Sequence, residues 1–179
     1  MDAPEQKEWL ETHIPHRVRA AIARLPMENS ILRVTATIDP PQPSELEKIY
    51  WRCATDSIWE GRLAATRWLI EFVGIKQDKA GNPTVCKKSK RFGGKDVRIH
   101  DFDGGEFISP SAPEAQLLAS VWKGCSQASS HATNEYSHPS VSDRKELPEA
   151  LTPIVRHLQN TIYQKAGKNL RDYVLEPVR

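Results

Sequence analysis

Hydrophobic residues recur at helical spacing in four parts of the chain, and this pattern predicts helices over residues 3–25, 44–73, 111–130 and 148–166. Pro15 interrupts the first of them and is expected to break or kink it. The second is the strongest prediction, because Ser44 and Glu47 match an S-x-x-E capping box and Gly74 follows as a stop signal. We expect it to be one unbroken rod, on the order of 45 Å long, around which the other elements pack.

Two further segments follow the patterns of β-structure. Residues 31–38 (ILRVTATI) alternate in polarity and are rich in β-branched side chains. Within residues 84–108, Asp103 and Gly104 lie between apolar-containing runs, which predicts a β-hairpin because a type I′ turn needs positive φ at its central positions. We therefore predict an α+β fold, in which two long helices and the terminal helices form a bundle and a small antiparallel sheet from 31–38 and 84–108 covers one side. Trp68 and Trp122 are expected in its core.

Length and composition narrow the class of protein. The chain has 179 residues, which is the size of a single domain. Hydrophobic residues make up 39% and charged residues 27%, which excludes a disordered charged tail. The longest apolar stretch falls far short of the roughly 20 residues that a membrane-spanning helix needs. Three scattered cysteines, Cys53, Cys86 and Cys125, are typical of a reducing compartment, so we expect a cytoplasmic protein without membrane contact.

Basic residues concentrate in one segment although the net charge of the whole chain is only +2. Residues 76–100 contain eight lysines and arginines against two aspartates. Cations on a hairpin, with Phe92 among them, suit a phosphate backbone, so we predict a nucleic-acid or anion-binding surface. Its residues are Lys87, Lys88, Lys90, Arg91 and Lys95. The alternative is a solvated ribbon whose lysines protect a sheet edge and pair with the acidic residues of 101–114.

Candidate catalytic chemistry is confined to a polar segment that contains His131 and His138. Two histidines that converge across a loop can act as an acid–base pair, so a hydrolase or nuclease is one hypothesis. The alternative places His131 at a helix C-terminus, where a partly protonated imidazole meets the negative end of the dipole. No zinc-type Cys or His spacing, Gly-rich phosphate loop or HExxH sequence occurs, so we expect no metal and no cofactor.

A second apolar stripe lies on the 44–73 helix. Trp59, Leu63 and Ile70 share this side with Arg62 and Arg67, and tryptophan and arginine are enriched at protein interfaces. One hypothesis is a homodimer that forms through this face; the alternative is that the hairpin or the 31–38 strand covers it within the chain. Because no complete catalytic motif is present, we favour a non-enzymatic binding or regulatory protein whose partner is a nucleic acid or another protein.

Overall fold

The computed structural model describes residues 2–22, 45–86, 97–130 and 141–175. The protein is mostly helical with one small two-stranded antiparallel sheet, which agrees with the predicted α+β class. The bundle arrangement of the helices stays a prediction. The predicted 31–38 strand lies outside the described residues.

The N-terminal helix is continuous but changes its hydrogen-bond register at Pro15. Helix α1 (Ala3–Glu8) is capped by Asp2, whose Oδ1 accepts a hydrogen bond from the amide of Glu5 at 2.8 Å. A π-helical turn (Trp9–His13) follows and leads into α2 (Ile14–Ile22). In this turn the amide of Ile14 bonds the carbonyl of Trp9, five residues back. Of the two outcomes predicted at Pro15, the break does not occur, because the helix continues past the proline.

Helix α3 (Glu45–Phe72) runs for 28 residues without interruption, which confirms the predicted rod. The helix ends at Phe72, and Gly74 follows with a φ of 89°, which lies in the left-handed region. A side chain at this position would collide with Phe107, so both the backbone angle and the packing require glycine. Trp68 is only partly buried and packs against the edge of the core, as does Trp122, so neither lies as deep as predicted.

The sheet forms from strands β1 (Ile75–Gln77) and β2 (Pro83–Val85), with Ile75 opposite Val85. Asp78 shapes the turn between them, because its Oδ1 accepts hydrogen bonds from the amides of Ala80 and Asn82. Only residues 84 and 85 of this hairpin lie within the predicted sheet range 84–108, and its first strand lies outside both predicted ranges.

The β-hairpin predicted around Asp103 and Gly104 is wrong. Residues Ile99–Asp101 form a 3-10 turn, and no strand follows between 102 and 108. The Asp101 carboxylate accepts a hydrogen bond from the amide of Arg98 at 2.8 Å, which closes a capping box and draws the backbone into a helical turn. A turn does occur here, with Gly104 at a φ of 69°, but it is not the predicted type I′ turn, because no described residue other than glycine has positive φ.

Helix α4 (Ala115–Ser130) and helix α5 (Val141–Leu158) follow, the second continuing through a π-helical turn (Gln159–Tyr163), and α6 (Leu170–Leu175) is the last described element. Helix α5 begins at Val141, before the predicted start at residue 148, so Pro148 and Pro153 lie inside it. Helix α3 packs against both α2 and α4, and these helices share one core. The largest fully buried side chains of this core include Ile14, Leu69, Phe72, Leu118, Ile154 and Tyr163.

Candidate ligand-binding groove

Two of the predicted sites fall outside the described residues. These are the basic residues Lys87, Lys88, Lys90, Arg91 and Lys95, and the histidines His131 and His138. Their roles therefore stay predictions.

The predicted interface on α3 requires a correction. Leu63 is only 4% exposed and Ile70 is fully buried, both within the chain's own core. Helices α2, α4 and α5 pack on α3, and they bury these side chains. Of the three predicted contact residues, only Trp59 remains partly exposed. Two of the three are thus not accessible to a second copy of the chain.

A groove of about 670 Å³ is bordered by α2, α5 and α6, with one residue from α3. This volume lies within the range typical of small-molecule sites. Its apolar lining residues are Val18, Ile22, Pro148, Leu151, Val155, Leu170 and Val174. Its polar lining residues are Arg62, Thr152, Arg156, Gln159, Asn169 and Arg171.

Helix α5 supplies one wall as a single stripe. Six lining residues recur at spacings of three and four, which places them on one helix face: Pro148, Leu151, Thr152, Val155, Arg156 and Gln159. Leu151 is buried at the floor, whereas Thr152 and Arg156 are exposed. The wall therefore changes from apolar to polar between adjacent positions of the stripe.

Helix α6 forms the opposite wall and is fixed by side chains from elsewhere. A six-residue helix is marginal alone. The Gln159 side chain bonds the backbone where α6 begins. Its Oε1 accepts a hydrogen bond from the amide of Leu170 at 2.8 Å, and its Nε2 donates to the carbonyl of Lys168 at 3.3 Å. Arg19 donates to the carbonyl of Tyr173 at 3.1 Å. Because these bonds fix α6, the groove is formed before any ligand binds.

Positive charge surrounds the apolar floor. Arg62 donates from Nε to the carbonyl of Ala21 at 3.3 Å, and its guanidinium lies 5.3 Å from the centre of the Trp59 ring. Arg156 and Arg171 are exposed, and neither has an ion-pair partner among the residues that the structure describes. The described lining contains no aspartate or glutamate. Arg156 and Arg171 thus present positive charge at the groove without an ion-pair partner among the described residues.

A polar cluster around Glu71 is the second notable feature, and it is structural. Glu71 Oε1 accepts from Arg67 Nε at 3.0 Å and from Trp122 Nε1 at 2.8 Å, while Oε2 lies 3.8 Å from Arg98 Nη1. Arg98 is only 6% exposed. Burial raises the pKa of the nearby Cys86 thiol, which keeps it protonated and a poor nucleophile. The cluster joins α3, α4 and the 97–102 segment.

Neither a metal-binding cluster nor a membrane-spanning helix occurs in the described part of the chain. No group of three histidine, cysteine, aspartate or glutamate residues there is arranged to hold a metal ion. No helix there combines the length and apolarity needed to cross a membrane.

Sequence reasoning missed two residues of the groove. Arg156 and Arg171 were not predicted, and Arg62 was noted only as a neighbour of the α3 stripe. A signal does exist for Arg156, because it directly follows Val155 in the apolar pattern of the last long helix. No local pattern indicates that Arg171 returns to the same surface.

Comparisons with known proteins identify no relative. No family model matches the chain, no curated protein is similar to it in sequence, and no solved structure is similar to it in fold.

Proposed function

We propose that this protein is a non-enzymatic binding protein whose ligand is a small molecule held in the groove between α2, α5 and α6. The observation that carries the proposal is the combination of an apolar floor with an arginine rim in a cavity of about 670 Å³. Small-molecule sites typically have this composition, with few polar groups that orient the ligand above a hydrophobic surface.

The lining chemistry favours binding over catalysis. Arginine is the only titratable residue type among the described lining residues. Its guanidinium stays protonated in proteins and is therefore a poor general acid or base at neutral pH. The polar remainder consists of Thr152, Gln159 and Asn169, and Gln159 is already engaged in holding α6.

The experiment is a titration with indole, a neutral apolar probe, followed through the methyl resonances of the protein. We expect shifts at Leu151, Val155 and Val174, and none at Leu118, which is fully buried outside the groove. Thr152→Trp should reduce the shifts, because the larger side chain occupies part of the groove. Gln127→Trp, at an exposed position of α4, is the matched control and should leave them intact. Shifts as large in Thr152→Trp as in the wild type would contradict the proposal.

Nucleic-acid binding by the 87–95 basic residues is a second proposal, supported by the charge of the sequence. The excess of lysine and arginine over residues 76–100 is its basis. Arg98 does not contribute to it, because it is buried beside Glu71. Binding through phosphates should weaken steeply as salt rises. A titration with duplex DNA at two salt concentrations tests this, and an affinity that does not change with salt would contradict it.

A further inference from the structure

We infer that the ligand of the groove is a free single-tailed amphiphile with a carboxylate head, of the fatty-acid class. Arg156 and Arg171 would bind the head, and the floor between α5 and α6 would take the tail. This inference rests on the proposed binding function and specifies the chemistry of its ligand.

The floor of the groove argues for an apolar tail. Leu151 and Leu170 are buried at its base, and Val155 and Val174 are partly exposed on its two walls. At its α2 end lies Ile22, which is 43% exposed and is the one large exposed hydrophobic side chain among the described residues. A hydrocarbon chain laid along these residues would remove their surface from water, which is favourable in proportion to the area covered.

The rim argues for an anionic head. Two exposed arginines line it, Arg156 of α5 and Arg171 of α6, and neither has an ion-pair partner among the described residues. An anion bound in the groove would be attracted by both guanidinium groups. A carboxylate also matches the planar donor fork of arginine, which can hold both of its oxygens.

The shape argues for a single molecule rather than a bilayer or a protein. The lining residues surround a concavity whose volume is that of a small-ligand site. A flat lipid surface would meet the exposed arginines but would leave the floor at Leu151 and Leu170 unfilled. The whole groove is therefore filled only by a single amphiphile whose tail has left the bilayer.

The experiment is calorimetric titration of the protein with decanoate and with decyltrimethylammonium, both kept below their micelle concentrations. The two probes have similar tails, about nine carbons in decanoate and about ten in decyltrimethylammonium, and heads of opposite charge; the longer tail alone would favour the cation. We expect decanoate to bind about ten-fold more tightly, because only its head is attracted by the rim. Arg156→Gln and Arg171→Gln should each weaken decanoate binding about two- to five-fold, as expected for exposed ion pairs. Lys123→Gln removes an exposed charge from α4 outside the groove and should change nothing.

The outcomes separate this inference from the function on which it rests. If decyltrimethylammonium binds as tightly as decanoate, or the two arginine variants keep wild-type affinity, the ligand class is wrong while groove binding stands. If the protein binds vesicles of anionic lipid or an acidic amphipathic peptide but not decanoate, the free amphiphile is likewise wrong. If neither decanoate nor indole shifts the groove methyls, the proposed function itself fails.

Discussion

The two sides of helix α6 differ in how their polar groups are paired. On the side facing the N-terminal helix, Lys168 Nζ lies 2.7 Å from Glu11 Oε1 and 3.2 Å from the hydroxyl of Tyr173. On the groove side, Arg156 and Arg171 have no ion-pair partner among the described residues. The same short helix thus borders one surface rich in internal contacts and one that offers charge to solvent.

The paired side is centred on a hydrogen bond between the two π-helical turns. The Tyr163 hydroxyl donates to the carbonyl of Leu10 at 2.6 Å, and Tyr163 is fully buried. In the π register the backbone donor for Leu10 would come from residue 15, but Pro15 has no N–H. The tyrosine supplies the missing donor. This comparison indicates that the contacts between the two turns stabilise the fold, whereas the groove is available for binding.

The largest effect is expected from Tyr163→Phe. Removal of the hydroxyl leaves the Leu10 carbonyl without this donor in a buried position, which should lower the free energy of unfolding by about 1–3 kcal/mol. Urea denaturation measures it. Tyr173→Phe is the control: its hydroxyl is in a part-buried contact, and we expect a smaller loss. Equal losses in the two variants would contradict the role given to Tyr163.

A double-mutant cycle with Pro15→Ala sharpens that prediction. Alanine restores a backbone N–H at position 15, so the Leu10 carbonyl no longer depends on the tyrosine. We expect Tyr163→Phe to cost about 1 kcal/mol less in the Pro15→Ala protein than in the wild type. Additive losses, measured by the same urea method, would show that the proline is not the reason for the bond.

The ion pair between Lys168 and Glu11 predicts a smaller, pH-dependent effect. The hydrogen bond from Lys168 lowers the pKa of the Glu11 carboxyl, and the same bond raises the pKa of Lys168. A carboxyl with a lowered folded pKa contributes stability above its usual pKa and loses it as the pH falls through the folded value. The wild type should therefore lose more stability than Lys168→Gln between about pH 7 and about pH 3. Urea midpoints at these two values test it, and parallel losses in both proteins would contradict it.

The smallest stability effect is expected on the groove side. Arg156→Gln and Arg171→Gln should each change the free energy of unfolding by no more than about 0.5 kcal/mol, because these exposed arginines have no described ion pair to lose. Thermal unfolding measures the change. A loss as large as that of Tyr163→Phe would mean that the arginines support the fold instead of a ligand.

Local signals predicted much of the fold and failed where distant contacts decide. The helix at 45–72 and the turn at Asp78 follow from periodicity and turn chemistry, which act over a few residues. The hairpin predicted around Asp103 and Gly104 was wrong, because the Asp101 side chain accepts a hydrogen bond from the amide of Arg98 and so stabilises a helical turn. The periodicity predicted a helix on both sides of Pro15, over 3–25, but not the π-helical turn before the proline, whose bond comes from Tyr163, far away in sequence.

The candidate groove was largely invisible in the sequence for the same reason. Its α5 wall has a recognisable spacing, and Arg62 stood out beside the α3 stripe. Leu63 and Ile70 were assigned to an interface because an apolar stripe looks the same whether a partner or the same chain covers it. That Arg171 lines the same groove as Arg156 depends on the bonds from Gln159 to the start of α6, which no sequence pattern indicates.

The most direct test of the division between the two sides measures both unfolding free energy and decanoate affinity in two variants, Tyr163→Phe and Arg156→Gln. We expect Tyr163→Phe to lose about 1–3 kcal/mol of stability and to keep its decanoate affinity within about two-fold. Arg156→Gln should keep its stability and lose decanoate affinity by about two- to five-fold. If Arg156→Gln is destabilised as much as Tyr163→Phe while its affinity is unchanged, the two surfaces do not have the separate roles described here.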